Sequence, residues 1–341
     1  MVEVLYTVDV EIWCEGWTDL DVKFPTAFQR YVYGRTPRGD YALPHQLKML
    51  RDHGLRGVFF VEPLFATRFG EQPLAEVVGL IQEFGHEVQL HLHTEWVDES
   101  LEPLLNETGP RRKRQFMHQF DVDEQTRLIR LGIELLRRAG AHPINAFRAG
   151  SFGLNADTLT AVARNGLQFD ASYNAVQFGP GSGVAPGGLL LDAAMMDGVC
   201  ELPMTIFRDG LNRLRPAQLG ACSFGEIEAS LWASVHAGRK SYVMLSHNFE
   251  LLNPSQTRED PIVVRRFDKL CSLLSRHRDI FSCTGCAELQ LRPKAEPGAM
   301  LTVPRWRTAG RVAEQAWRRG YRGAAGHCGR CLSSTSSAIG R

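Results

Sequence analysis

No uninterrupted apolar run approaches the roughly 18 residues that a membrane-spanning helix needs, so no segment reads as a transmembrane span. The first residues, MVEVLYTVDVEIW, lack the basic start, long apolar middle and small-residue cleavage site of a secretion signal. They already read as a strand, and a cytoplasmic location is the expectation. The formal net charge is only +1, so no global field draws the chain to nucleic acid. Eight cysteines in 341 residues are too few for a disulfide scaffold. Two pairs have CxxC spacing, Cys283 with Cys286 and Cys328 with Cys331; the long gap between them favours free thiols over a shared zinc. A glycine-rich phosphate loop is also missing after the first strand, where Asp9, Glu11 and Trp13 stand instead, which argues against a dinucleotide-binding fold.

Charge is present but unevenly spread. From Leu291 to Arg341 ten Lys or Arg face two Glu, while the residues before carry 29 basic and 36 acidic side chains. Pro293, Pro297 and Pro304 punctuate the same region, and Ser333 to Ser337 is of low complexity. The folded domain is therefore expected over residues 1–291, with 292–341 as a basic, flexible tail. Within the tail, Val312, Ala313, Ala316 and Trp317 form an apolar stripe among arginines, a pattern compatible with peripheral contact to a membrane surface.

The body alternates short apolar strands with helix-period segments. Expected strands are Val2 to Val8, Gly57 to Val61, Glu87 to His93, Ile144 to Arg148, Leu167 to Ala171, Ser241 to Ser246 and Asp279 to Cys283. Leu43, Leu47 and Leu50 share one helix face, as do Leu74, Val77, Val78 and Ile81. Recurrent strand and helix with short links predicts an α/β fold, with a closed β/α barrel preferred over an open sheet. Two stretches, Thr18 to Tyr41 and Asn174 to Gly198, break the alternation and read as long loops over a pocket mouth.

The strands end in polar clusters. Asp9 and Glu11 lie two apart, so an extended backbone points both to one face, where unpaired burial is costly. A metal for one carboxylate and proton transfer for the other would resolve that cost. In GHEVQLHLHTEW, continued alternation aims His91 and His93 at one point, whereas a helical turn after His91 brings Glu95 beside it instead. Arg148 in NAFRAGSFG needs a buried carboxylate partner, and Asp9 is the obvious one. His247 stands at the end of a further strand.

With these residues in order, the chain resembles the metal-dependent polysaccharide deacetylases with a NodB-like domain, carbohydrate esterase family 4. The resemblance spans roughly Val2 to Leu289 and rests on TVDVE at Thr7 to Glu11, GHEVQLHLHTE at Gly85 to Glu95, FRAGSF at Phe147 to Phe152 and MLSH at Met244 to His247. GVFF at Gly57 to Phe60 and FDAS at Phe169 to Ser172 fit the same order.

It implies a distorted (β/α) barrel and hydrolytic removal of an N-acyl group, N-acetyl first, from an amino sugar by a metal-activated water. By position, Asp9 matches the general base, Arg148 the residue orienting it, His247 the general acid and His91 a metal ligand. Glu11 is the expected carboxylate ligand, and Glu95 or His93 the third. The implied cofactor is a divalent metal, zinc by default, with manganese, cobalt or iron as alternatives. Implied partners are an amino-sugar polymer or a lipid-linked glycan precursor. Rival readings are a deformylase or other amidohydrolase on a lipid-linked amino sugar, and a non-catalytic glycan- or protein-binding member. Three departures mark this chain: Val10 separates the two acids of the first motif, Glu95 and the extra His93 replace the usual second histidine, and Gly150 stands where proline is common.

Overall fold

A computed structural model describes residues 1–106, 113–289, 291 and 298–323. Its centre is a curled, mostly parallel sheet. In chain order the strands are β1 (Val2–Val10), β2 (Val58–Val61), β3 (Glu87–Leu92), β4 (Ala146–Ala149), β5 (Phe169–Asp170), β6 (Ala194–Met196), β7 (Val199–Glu201) and β8 (Ser241–His247). Across the sheet they run β8-β1-β2-β3-β4-β5-β7-β6, and only β6 is antiparallel to its neighbour. Beyond β8, the Leu245 N–H donates to the Ala217 carbonyl at 2.9 Å and the Thr205 N–H to the Val243 carbonyl at 3.1 Å. These irregular segments cover the edge that an open sheet would expose, and the result is a distorted β/α barrel.

The strands form where β-branched and aromatic residues cluster, and the helices between them bury single apolar stripes. Leu43, Leu47 and Leu50 are buried on the helix Leu43–Asp52, and Leu74, Val77, Val78 and Ile81 on Gln72–Glu83, matching the expected faces. Asn155 caps the helix Ala156–Arg164 through the Thr158 N–H, and Gly166, at φ 71°, takes the left-handed turn that leads toward β5.

Two expectations are corrected. Part of the stretch Thr18 to Tyr41 is helical, over Leu20–Phe28 and a π turn Gln29–Tyr33. Leu20, Phe24, Ala27 and Phe28 supply its buried stripe, which the internal Pro25 had masked. Phe24 stacks on Phe69 at 3.7 Å between ring centres.

The second correction concerns the end of the chain. Leu301–Thr302 pairs with Ile206–Arg208, and a helix, Arg305–Gly323, packs against the helix Phe224–His236. Buried Arg311 donates to Asp209 and Glu226, both at 2.9 Å. The sequence hid this because the anchors are charged, so the helix carries no inward apolar stripe. Removing one partner of a buried ionic cluster strands the others. Arg311→Ala is therefore expected to cost about 3 kcal/mol or more, read as a shift in denaturant midpoint. Cys283 and Cys286 are free thiols in the fold, while Cys328 and Cys331 lie outside the described residues. Among the described residues, no helix is long and apolar enough to cross a membrane.

Candidate active site

Parallel strands share a direction, so their C-terminal ends meet on one face of the barrel. Register completes the assembly: Asp9 pairs with His247 across β1 and β8, and His91 pairs with Arg148 across β3 and β4. Four segments far apart in sequence thus deliver their polar ends to one buried cluster.

Arg148 is fully buried. Its Nη1 donates to Asp9 Oδ1 at 2.6 Å and to Thr7 Oγ1 at 2.9 Å, and its Nε donates to the Ala171 carbonyl at 3.1 Å. The guanidinium lies over the Phe60 ring at 4.3 Å. Asp9 is held on one side, leaving Oδ2 toward His91 Nε2 at 3.9 Å.

His91 Nδ1 donates to the Arg148 carbonyl at 2.9 Å, which orients the ring and places Nε2 3.3 Å from Glu11 Oε1. His93 remains extended one residue past β3, so the alternation reaches it; its Nε2 lies 2.9 Å from Glu11 Oε1. Glu11, His91 and His93 therefore present three donor atoms within 4.8 Å of one another, and Asp9, Glu11 and His247 form an overlapping trio.

Glu95 stands apart from these trios. It sits in the 3-10 turn Thr94–Glu99 and accepts from His93 Nδ1 at 3.2 Å, on the far side of that ring from Glu11. Gly150 makes room for the arrangement. A Cβ there would come within 2.7 Å of the Leu92 carbonyl and 2.9 Å of His93 Nδ1. The departures at Gly150 and His93 are thus sterically coupled. Just beyond, Ser151 and Phe152 both adopt positive φ, 51° and 56°, a strained conformation at the cavity wall.

Electrostatics follow from burial opposed by pairing. Burial raises a carboxyl's pKa, yet His93, His91 and His247 together hold Glu11 well below the ordinary glutamate range. Burial depresses an imidazole, but Glu11 and Glu95 hold His93 well above its usual value. Attraction that favours a proton among these atoms also favours a divalent cation, and two imidazoles with one carboxylate make a recurrent catalytic donor set. The residues fit a metal.

His247 lies at the rim, its Nδ1 2.9 Å from Glu250 Oε2 and its ring stacked on Phe249. Burial disfavours its charge, but the Glu250 hydrogen bond and the charges of Glu11, Glu250 and Asp9 push its pKa up to about 9. Burial, which opposes the rise at His247, is what pushes Glu62 up to about 8, despite hydrogen bonds from the Leu64 and Phe65 N–H groups.

Sequence reasoning passed over several supporting residues. Glu250 follows His247 by three positions, a spacing that could have flagged it. Trp13 continues the alternation of Asp9 and Glu11; its Nε1 donates to Glu11 Oε2 at 2.7 Å and its ring meets His93 edge-on at 4.7 Å. Asn248 brackets Glu11 by accepting from its N–H at 3.1 Å and donating to its carbonyl at 3.0 Å. Behind Arg148, Asp170 and Glu201 form a fully buried carboxyl pair: burial raises both pKa values, the Asp170 charge raises Glu201 further, and a hydrogen bond with Glu201 opposes the rise at Asp170. Nothing local in the sequence marks that pair.

Two cavities flank the cluster. One of about 370 Å³ is bounded by Asp9, Glu11, His93, His247, Phe152 and Asn174. The other, about 850 Å³, shares Trp13 and is walled by Tyr31, Phe249, Leu252 and Pro254. Both irregular stretches singled out in the sequence contribute, Asn174 to the first cavity and Tyr31 to the second.

Comparison with known proteins agrees with this architecture. A Mycobacterium smegmatis protein assigned as a polysaccharide deacetylase is similar over 86% of this chain and 94% of its own, at 19% identity and a TM-score of 0.52. A family 4 carbohydrate esterase from Streptomyces lividans, solved with acetate, aligns over 88% of this chain and 97% of its own, at 14% identity and a TM-score of 0.37. The peptidoglycan deacetylase PdaC from Bacillus subtilis aligns over 95% and 98%, at 10% identity and a TM-score of 0.36. No protein-family model and no curated protein matches the sequence. The chain has the distorted barrel fold of the NodB-like polysaccharide deacetylases.

Proposed function

We propose that the protein is a metal-dependent hydrolase that removes an N-acyl group, N-acetyl first, from an amino sugar in a polysaccharide or a glycan precursor. The observation that carries this reading is the convergence on one cavity of an arginine-held Asp9, a rim His247, Glu11 and His93, with His91 completing the donor trio. In this reading Glu11, His91 and His93 hold the ion, and Glu95 orients His93 from behind. Zinc is the expected metal. When bound, such an ion lowers the pKa of a water and polarises the acyl carbonyl.

The remaining work falls to the chain. Asp9 takes the proton from the attacking water, and the Arg148 hydrogen bond keeps that carboxylate aimed. His247 gives its proton to the departing nitrogen as the C–N bond breaks, so acid and free amine leave. Glu250 keeps His247 in the charged form that can donate. The indole of Trp13 and the ring of Phe152 wall the reacting atoms from bulk water.

The direct test is release of acetate from N-acetylated amino-sugar oligomers. Turnover should require about one equivalent of divalent metal and stop on chelation. Metal-loaded, folded protein inert on every N-acylated amino sugar tried would reject the reading.

A pH prediction follows. A general acid works only while protonated, and the Glu250 hydrogen bond and nearby carboxylates raise His247 to about 9 in the metal-free protein, so the rate should persist through neutral pH and fall on an alkaline limb set by His247. Glu250→Gln removes the main group raising that value. Its alkaline limb should move to lower pH, as a pH series of kcat/KM will show.

A further inference from the structure

We propose that the outward face of the C-terminal helix is a docking surface for an anionic lipid bilayer. The helix Arg305–Gly323 is turned inside out relative to an ordinary surface helix, which buries its apolar stripe and wets its charges. Its inner face is polar: Arg311 reaches Asp209 and Glu226, Arg318 Nε reaches Asp260 at 3.0 Å, Glu314 meets Arg266 at 3.1 Å, and Arg307 meets Glu228 at 2.8 Å. Its outer face is apolar. Trp306 and Trp317 are each 65% exposed and Val312 49%, with Leu211 on the adjoining turn at 59%. Ala309 and Ala313 fill the gaps, and Leu211 and Val312 flank a surface trough of about 730 Å³.

Charge identifies the occupant. After Glu314 the sequence holds no Asp or Glu, and beyond Arg318, which Asp260 holds, it carries Arg319, Arg322, Arg330 and Arg341. Arg305 adds an exposed cation at the other end. An apolar strip carrying two indoles, with exposed Arg305 at its start and an arginine-rich, acid-free sequence after it, matches the boundary between acyl chains and anionic headgroups.

The alternatives fit less well. Residues 324–341 offer Leu332 and Ile339 as their large aliphatic side chains, too little to cover two tryptophans and a valine. A second copy of the chain docked by the same face would bring a second arginine-rich, acid-free terminal sequence to that face. Because Arg318 also lines the larger cavity beside Trp13, the docked helix and the vestibule of the site share a wall.

The test is flotation of the full-length protein with vesicles of phosphatidylcholine alone or with about a third phosphatidylglycerol. Binding should appear only with the anionic vesicles and should weaken as salt screens the headgroups. The double variant Trp306→Ser with Val312→Ser, and separately Ala313→Asp, should each weaken binding at least about tenfold with unchanged thermal unfolding. Failure to float with anionic vesicles at low salt, or undiminished binding by both variants, overturns the proposal. So does a concentration-dependent dimer that the double variant abolishes, since the occupant is then a second copy. Flotation needs no substrate, so its outcome is independent of the deacylase reading.

Discussion

Asp9→Asn is expected to lower kcat by about 10²- to 10⁴-fold, the range general-base catalysis supplies. Asparagine keeps the shape and leaves Arg148 an oxygen to bond, but it cannot accept the proton of the attacking water. The structure adds a second consequence. Asp9 and Arg148 are a buried ion pair, so neutralising one partner leaves the guanidinium charge uncompensated, at about 3 kcal/mol. The variant should therefore be less stable as well as slow. Activity must be normalised to the folded fraction, read from thermal unfolding at the assay temperature. Near-wild-type kcat in folded Asp9→Asn protein would remove Asp9 from the role of base. Thr7 Oγ1 and the Ala171 carbonyl still hold Arg148 in this variant, which keeps the barrel assembled.

His91→Ala and His93→Ala are each expected to abolish stoichiometric metal, while Glu95→Gln should retain it with affinity reduced about 10- to 100-fold. The distinction comes from atoms. The Nε2 atoms of both histidines approach Glu11 Oε1, at 3.3 Å and 2.9 Å, whereas Glu95 reaches only the opposite nitrogen of His93. Losing a direct donor removes a bond to the ion; losing the carboxylate behind it frees a ring to turn. Gly150→Ala offers an orthogonal check, because the added methyl collides with the Leu92 carbonyl and His93 Nδ1 and must push that ring out of place. Metal content by elemental analysis, with circular dichroism as the folding control, reads all four variants. Full metal retention in His93→Ala with loss in Glu95→Gln would reverse the two roles.

Much of the candidate site was legible before any coordinates. A period of two along β1 puts Asp9 and Glu11 on one face, and the same period along β3 puts His91 and His93 on one face. Parallel strands then carry those faces to one end of the barrel. The partner of Arg148 was also legible, since a buried guanidinium calls for a carboxylate and Asp9 is the strand-end acid nearest to hand in the pattern. Glu250 could have been read from its spacing to His247, whereas Asn248 and the Asp170 and Glu201 pair could not, because their importance depends on which segments lie across from them. The terminal helix was misread for a related reason. Hydrophobic periodicity finds helices that dock through apolar faces, and this one docks through arginines.

Local periodicity and the chemistry of charge thus determined the fold class, the strand-end cluster and most of the residues within it. That His93 and not Glu95 stands beside Glu11 belonged to the tertiary structure. Alternation states which face a side chain takes, but whether the chain stays extended through His93 or turns before it depends on the space that Gly150 leaves just past the neighbouring strand. That neighbour is set by the winding of the barrel, and the spacing of residues along β3 does not encode it.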